Sequence, residues 1–175
     1  LRHYRVGPWK NRTSIARENM QLDIALYQPD IANNTGTLIR LAACMGLTLH
    51  IIHPAGFPVS PKILARAGLD YVEHAALREH VNFESFEHWR AAQCRRLVLL
   101  TTKSAQSAYA VAYAPGDILM LGRESAGVPD AVAEIADLRV RIPMLPERRS
   151  INVALAASMI VGEAMRQIDG FTSLS

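Results

Sequence analysis

The sequence lacks the residue patterns that mark several common classes of protein. Its two cysteines, Cys44 and Cys94, lie in no CxxC or histidine-rich spacing, and the six histidines show no ligand spacing, so no disulfide framework or metal site is expected. No apolar run approaches the ~18 to 20 residues that cross a bilayer, and the first residues lack the apolar core of a signal peptide. Neither GxGxxG nor a Walker lysine motif occurs, which argues against a Rossmann dinucleotide site and a P-loop. We therefore expect a cytoplasmic protein without a membrane segment.

Positive charge is concentrated near the N-terminus. Residues 1–19 contain five basic residues against Glu18, so this segment carries a net +4 in a chain whose total is +3, and the remainder is about −1. The overall charge therefore says little about RNA, and any RNA surface has to be a local cluster. Because Met20 directly precedes an apolar segment, we interpret residues 1–19 as an upstream or vector-derived extension and residues 20–175 as one domain. A native basic arm is the alternative interpretation.

The order of apolar patterns predicts an α/β fold in which a parallel sheet is flanked by helices. Half of the 175 residues are apolar, which is enough for one core, and short runs rich in Ile, Val and Leu alternate with segments of helical period. The predicted strands are residues 22–27, 47–53, 97–101, 117–121 and 138–142. The predicted helices are residues 35–45, 61–67, 83–93, 129–136 and 151–168. Ser60 is expected to cap the second helix, and Gly46, Gly68 and Gly170 stand where a left-handed stop is favourable.

Residues 33–40 lie between the first predicted strand and the first predicted helix. Asn34 can cap this helix through its side chain, and Gly36 would let the backbone come close to a ligand. Arg40 lies one to two turns further along. A capped helix with a solvated arginine is an equally good interpretation of this segment alone.

Residues 119–129 run from a strand into a loop that is bracketed by Gly122 and Gly127. Loops at the carboxyl ends of parallel strands are where α/β folds bind ligands. Gly122 would let an adenine or ribose approach the backbone, and Glu124 places a carboxylate in the loop. The alternative is that Glu124 caps the following helix or pairs with Arg123.

Residues 139–152 join a strand to a long helix. Ser150 is the predicted N-cap of that helix. Asn152 stands at the start of an otherwise apolar helix, so we expect it to be buried and to need partners, of which a ligand is one candidate. The helix is apolar on nearly all sides over its first three turns, which places it in a core or in a subunit interface.

The three segments in this order resemble the successive motifs of the SpoU-type branch of the SPOUT RNA methyltransferases. The matching phrases are Asn-Thr-Gly with an Arg four residues after the Gly, then Leu-Gly-Arg-Glu-Ser-Ala-Gly-Val-Pro, then Ile-Pro-Met followed by Arg-Ser-Ile-Asn-Val-Ala. The likeness spans residues 20–170. The short length without an appended RNA-binding domain is most similar to the TrmL-type enzymes, which methylate the ribose 2′-hydroxyl of the wobble nucleotide of tRNA. A ribosomal-RNA ribose methyltransferase, or a non-catalytic module that binds RNA or S-adenosylmethionine, are the alternatives.

The resemblance implies a C-terminal trefoil knot, a homodimer, S-adenosylmethionine as cofactor and no metal. It also implies a tRNA substrate with cytidine or modified uridine at position 34, of which the leucine isoacceptors are the suggested examples. The implied cofactor-binding residues are Leu100, Thr101, Gly122, Glu124, Ile142, Met144, Leu145, Ser150 and Asn152.

Catalysis is implied for Arg40, Asn34, Ser150 and Asn152. A guanidinium hardly deprotonates in proteins, so we interpret Arg40 as a clamp on an RNA phosphate and a stabiliser of the developing alkoxide, with Asn34 and Ser150 orienting it. The phosphate or a water would then take the proton. The residues expected to bind RNA are Arg40, Arg123, Arg148, Arg149 and Arg166, although each could be an ordinary solvated charge.

Overall fold

The computed structural model describes residues 21–60, 62–64, 71 and 75–174, which include a six-stranded parallel sheet flanked by helices. The strand order across the sheet is β3-β2-β1-β5-β4-β6. The strands are β1 Asp23–Tyr27, β2 Thr48–Ile52, β3 Ala76–His80, β4 Leu97–Leu100, β5 Ile118–Leu121 and β6 Leu138–Val140. The helices are α1 Ala32–Met45, α2 Phe83–Ala92, α3 Asp130–Ile135 and α4 Val153–Gln167, followed by a 3₁₀ turn at Gly170–Leu174. The predicted α/β class is therefore confirmed.

Both faces of the sheet are buried along its central strands, since successive side chains of a strand point to opposite faces and β1 and β5 are buried at every position. In β1, Ile24 and Leu26 belong to one apolar cluster, which also contains residues of α1 and α4. Ala25 and Tyr27 belong to the second cluster, which contains Phe86 of α2. Burial on both faces explains why the central strands are uninterrupted apolar runs.

The edge strand β3 is the element that the apolar pattern does not predict. Its sequence is Ala-Leu-Arg-Glu-His, and most of its side chains are exposed or half-buried. A short, charged edge strand pairs on one side only, so it carries neither an apolar run nor a clean alternation.

Two predicted helix starts are wrong, by three residues for α1 and by two for α4. Helix α1 begins at Ala32, so Asn34 lies inside its first turn, and the N-cap Ile31 has no side-chain hydrogen bond. Helix α4 begins at Val153, with Asn152 as its N-cap, so Ser150 is not the cap. Both asparagines are held by longer-range hydrogen bonds, which local capping preferences cannot anticipate.

The predicted helix stops have mixed outcomes. Gly46 ends α1 with φ 66°, as predicted. Gly170 does not end α4 in this way, because Asp169 carries the positive φ of 55° and Gly170 opens the 3₁₀ turn. A Cβ at Gly170 would lie 2.8 Å from the sulfur of Met165, so a side chain there would require the flexible Met165 side chain to shift.

Some predictions fall wholly or partly outside the described residues. The boundary at Met20 and the stop at Gly68 lie there, as does most of the helix predicted for residues 61–67. Ser60, which is described, accepts a hydrogen bond from the backbone N–H of Ile63 at 3.4 Å, as a cap would. No helix in the described part of the chain is long and apolar enough to cross a membrane. The trefoil knot stays a prediction.

Candidate cofactor and substrate site

A cleft of about 1190 Å³ opens at the carboxyl ends of β4, β5 and β6, beside the start of α4. The position agrees with the rule that α/β sheets bind ligands beyond the carboxyl ends of their strands. The predicted cofactor residues that line the cleft are Leu100, Thr101, Gly122, Glu124, Ile142, Met144, Ser150 and Asn152. Leu145 is not among the lining residues and its side chain is exposed. The structure therefore brings together nearly all of a set of residues that are scattered over 53 sequence positions between 100 and 152.

The loop of residues 122–127 folds tightly on itself. The backbone N–H of Arg123 donates to the carbonyl of Gly127 at 2.9 Å, and the N–H of Gly127 donates back to Arg123 at 2.8 Å. A Cβ at Gly122 would lie 2.7 Å from the backbone of Gly127, which itself has φ 67°. Both glycines are thus required by the shape of the loop itself, a reason that does not depend on a ligand.

Three of the predicted site residues form one chain of hydrogen bonds. Asn34 Nδ2 donates to Glu124 Oε1 at 3.2 Å, and Asn152 Nδ2 donates to Asn34 Oδ1 at 3.0 Å. Asn152 Oδ1 in turn accepts from the backbone N–H of Ala154 at 2.8 Å and of Leu155 at 3.3 Å. This chain ties the starts of α1 and α4 to the loop after β5.

The chain corrects two local interpretations. Glu124 neither caps the following helix nor pairs with Arg123, because its two oxygens accept from Asn34 and from the backbone N–H of Asp30, the latter at 2.8 Å. Asn152 was expected to be buried, and it is exposed, with its amide shared between a cap and Asn34.

Asp30 is the residue that the sequence interpretation missed. Its carboxylate accepts from Arg123 Nε at 3.1 Å and Nη2 at 3.0 Å, and from the backbone N–H and hydroxyl of Ser125. The hydroxyl of Ser125 is the main reason that the pKa of Asp30 lies below its ordinary value, and the charge of Arg123 acts in the same direction. The sequence does carry one signal for Asp30, because this residue lies just after the first predicted strand, where α/β folds place ligand-binding loops. In the structure the carboxyl end of β1 lies beside that of β5.

The predicted RNA-binding arginines are distributed unevenly around the cleft. Arg123 and Arg149 line it, but Arg123 is held by Asp30. Arg166 forms an ion pair with Glu163 at 2.9 Å, and Arg148 is exposed.

Arg40 is exposed on α1 and is not among the lining residues. Its guanidinium carbon lies 4.9 Å from the ring centroid of Tyr71. Gly36, one turn earlier, is buried inside the helix and does not line the cleft, so it does not bring the backbone to a ligand there. Arg40 therefore has a stacked but solvent-facing position, open to a large substrate.

Comparisons with known proteins agree with the sequence resemblance. The SpoU rRNA Methylase family matches residues 21–162. A tRNA (cytidine(34)-2'-O)-methyltransferase from Ancylobacter novellus is 55% identical over 152 residues, which cover 87% of this chain and 96% of that protein. A solved structure described as "Structural insights into the 2-OH methylation of C/U34 on tRNA" has a TM-score of 0.81 and 38% identity, covering 87% of this chain and 99% of its own. The AdoMet-bound rRNA methyltransferase from Sinorhizobium meliloti has a TM-score of 0.76 and 26% identity, over 83% of this chain and 56% of its own.

Proposed function

Because this chain belongs to the SpoU rRNA methylase family, we propose that it transfers a methyl group from S-adenosylmethionine to the ribose 2′-hydroxyl of wobble nucleotide 34 in tRNA. The observation that carries this proposal is the 55% identity to a tRNA (cytidine(34)-2'-O)-methyltransferase over 96% of that relative's length. Eight of the nine predicted cofactor residues also line a single cleft, although Arg40 lies outside it. The chain thus has both the family's sequence and a site in which its chemistry can occur.

The nucleotide at position 34 is proposed to be a cytidine or a modified uridine. The relatives are named for cytidine 34, and the solved structure at 38% identity concerns C/U34. Leucine tRNAs are the substrates that we propose within this class, with the reaction in the cytoplasm. A ribosomal-RNA target is the second candidate, because the family name and the Sinorhizobium structure both refer to rRNA methylation.

The cleft fits an adenosyl cofactor. Its volume of about 1190 Å³ exceeds the ~300 to 1,000 Å³ of ordinary small-molecule pockets, so a methyl donor and part of a nucleotide can share it. Leu100 and Ile142, which lie at or just beyond strand ends, supply apolar walls beside backbone polar groups that can recognise an adenine. When bound, S-adenosylmethionine supplies an electrophilic methyl group on its sulfonium.

Glu124 and Asn34 shape the cleft through their contacts with other protein groups. The Glu124 carboxylate accepts from Asp30 and Asn34, and both ends of the Asn34 amide are engaged. Asn34 precedes Arg40 by six residues, about 9 Å along the helix axis, so it holds the start of α1 in place and does not touch the guanidinium. We therefore assign Asn34 to positioning the helix that carries Arg40.

Arg40 is proposed to bind the phosphate beside the reacting nucleotide and to stabilise the developing alkoxide. Guanidinium groups hardly deprotonate in proteins, so the proton of the hydroxyl is proposed to pass to the phosphate or to a water. Its planar fork suits bidentate contact with phosphate, and its exposure leaves it accessible to tRNA. Arg148 and Arg149, at the exposed end of the loop that precedes α4, are proposed to add phosphate contacts.

A homodimer is proposed because α4 presents apolar side chains to solvent. Leu155 is 62% exposed and Met159 is 43% exposed, while the opposite side of the helix packs in the core with α1. Ile151, just before the helix, is also exposed. A second copy that covers these side chains would remove an apolar surface that a small single domain leaves in water.

Two measurements test this function. Titration of S-adenosylhomocysteine into the protein in the presence of a chelator is expected to show binding, and failure to bind would remove the cofactor assignment. Incubation with labelled S-adenosylmethionine is expected to label unmodified tRNA. Labelling of ribosomal RNA in place of tRNA would favour the second candidate, and binding of the cofactor and RNA with no transfer to either would favour a non-catalytic module.

A further inference from the structure

We propose that Asp30 is a positioning residue that fixes the loop of residues 122–127 in the placement required for cofactor binding; this inference rests on the proposed function. Asp30 does not line the cleft. Residues 122–127 all do, and they are the segment that Asp30 contacts. Asp30 thus acts on the cofactor through the loop.

The contact between the two loops is reciprocal. The Asp30 carboxylate accepts from the backbone N–H of Ser125 at 3.1 Å, while the backbone N–H of Asp30 donates to Glu124 Oε2 at 2.8 Å. Arg123 adds two donors from its guanidinium to the same carboxylate. Each loop therefore supplies both a carboxylate and a backbone donor to the other, which fixes their separation and their relative orientation.

A third loop supports Asp30 from the carboxyl end of β2. The backbone N–H of Gly56 donates to the carbonyl of Pro29 at 2.8 Å. A Cβ at Gly56 would lie 3.1 Å from the Cα of Asp30, so this loop packs closely behind it. Asp30 consequently has little freedom to move, and its side chain is only 17% exposed.

The 122–127 loop needs such an external support. Its internal hydrogen bonds between Arg123 and Gly127 define its shape, but they do not define where the loop lies relative to α1 and α4. The Asp30 contacts and the Glu124–Asn34 hydrogen bond supply that placement. The carboxylate of Asp30 already accepts four protein donors, so it is poorly suited to taking a proton from substrate.

The test is Asp30→Asn in the full chain. The amide keeps the size of the side chain but directs an NH₂ group at either Arg123 or the Ser125 N–H, so one donor faces another. Glu87→Gln is the matched control, because Glu87 also forms a bidentate pair with an arginine, Arg90, but lies on α2 and does not line the cleft. Calorimetric titration with S-adenosylhomocysteine is expected to show at least tenfold weaker binding for Asp30→Asn and a change below twofold for Glu87→Gln.

Two further readouts separate positioning from mere stability. Hydrogen exchange of the Ser125 amide, measured without cofactor, is expected to accelerate in Asp30→Asn. At saturating cofactor and tRNA the turnover of that variant is expected to stay within threefold of the unaltered protein, because Asp30 touches no reacting atom. If Asp30→Asn does not fold, Ser125→Ala removes one donor to Asp30. Because Ser125 also lines the cleft, we then expect both about threefold weaker cofactor binding and faster exchange of the amide at position 125 without cofactor.

Unaltered cofactor affinity in Asp30→Asn, or in Ser125→Ala if the former does not fold, would overturn the inference. So would a loss of turnover at saturation with no change in affinity. If the unaltered protein itself does not bind S-adenosylhomocysteine, the proposed function fails, and this inference fails with it.

Discussion

A buried pair of histidines is expected to make the protein acid-labile. His50 and His80 lie on the α2 side of the sheet with their Nδ1 and Nε2 atoms 2.9 Å apart, and His50 Nε2 lies 3.0 Å from Asp23 Oδ2. One neutral arrangement satisfies all these groups: His50 donates from Nε2 to Asp23 and accepts at Nδ1 from His80. Protonation of His50 would place a second N–H against the donor of His80.

The expected size follows from the pKa of His80. Burial, followed by the charges of His50 and Arg78, lowers this pKa from 6.5 to about 4, and burial also lowers the pKa of His50. A histidine with a depressed pKa in the folded state contributes stability above pH 6.5, and that stability is lost as the pH falls toward 4, because the unfolded chain binds the proton first. For His80 alone the free energy of unfolding should fall by about 2 kcal/mol between pH 7 and pH 5.

Urea unfolding at pH 7, 6 and 5 measures this loss. The window lies above the range in which ordinary carboxylates titrate, so histidines dominate it. His80→Gln keeps a hydrogen-bonding group but cannot titrate, and its stability should fall less steeply with pH, with the contribution of His50 remaining. A free energy of unfolding that is constant from pH 7 to pH 5, or one that falls equally steeply in His80→Gln, would contradict this role of His80.

Three further predictions concern the proposed catalytic role of Arg40, the proposed dimer interface and the proposed domain boundary. Arg40→Ala should bind cofactor normally and lose about 10² to 10⁴-fold in turnover. Arg40→Lys should recover little of this activity, because an ammonium lacks the planar fork of a guanidinium. Near-normal methylation by Arg40→Ala at saturating tRNA would contradict the proposed role. Leu155→Glu should shift the mass measured by light scattering from that of a dimer to that of a monomer. A folded monomer of the unaltered protein at micromolar concentration would exclude the proposed interface. Deletion of residues 1–19 should leave folding and methylation intact, since the family match begins at residue 21, and loss of either would show that the boundary is misplaced.

The fold class was predictable because the central strands are buried on both faces. Their apolar runs stand out from the helical periodicity, and the order of the elements then indicates a parallel sheet. Strand β3 could not be found in this way, since an edge strand with Arg78 and Glu79 has no apolar signature.

The sequence segments that form the candidate site were predictable, but the hydrogen bonds between them were not. The motifs indicated Asn34, Glu124 and Asn152 individually, but only the fold brings them into one chain of hydrogen bonds. Local rules gave the wrong cap for α4, because Ser150 and Asn152 are both good caps and tertiary contacts decide between them. Asp30 escaped notice because its partners are 93 to 95 positions away in sequence.

Methyl transfer to the ribose hydroxyl of nucleotide 34 in tRNA is the reaction that we propose for this cleft. The most direct test is incubation of unmodified leucine tRNA with the protein and S-adenosylmethionine, followed by nuclease digestion and mass spectrometry of the fragments. We expect one added methyl group, on the 2′-oxygen of nucleotide 34, and none in a transcript that carries a 2′-deoxyribose at that position. A methyl group on a base, at another nucleotide, or in the 2′-deoxy transcript would contradict it.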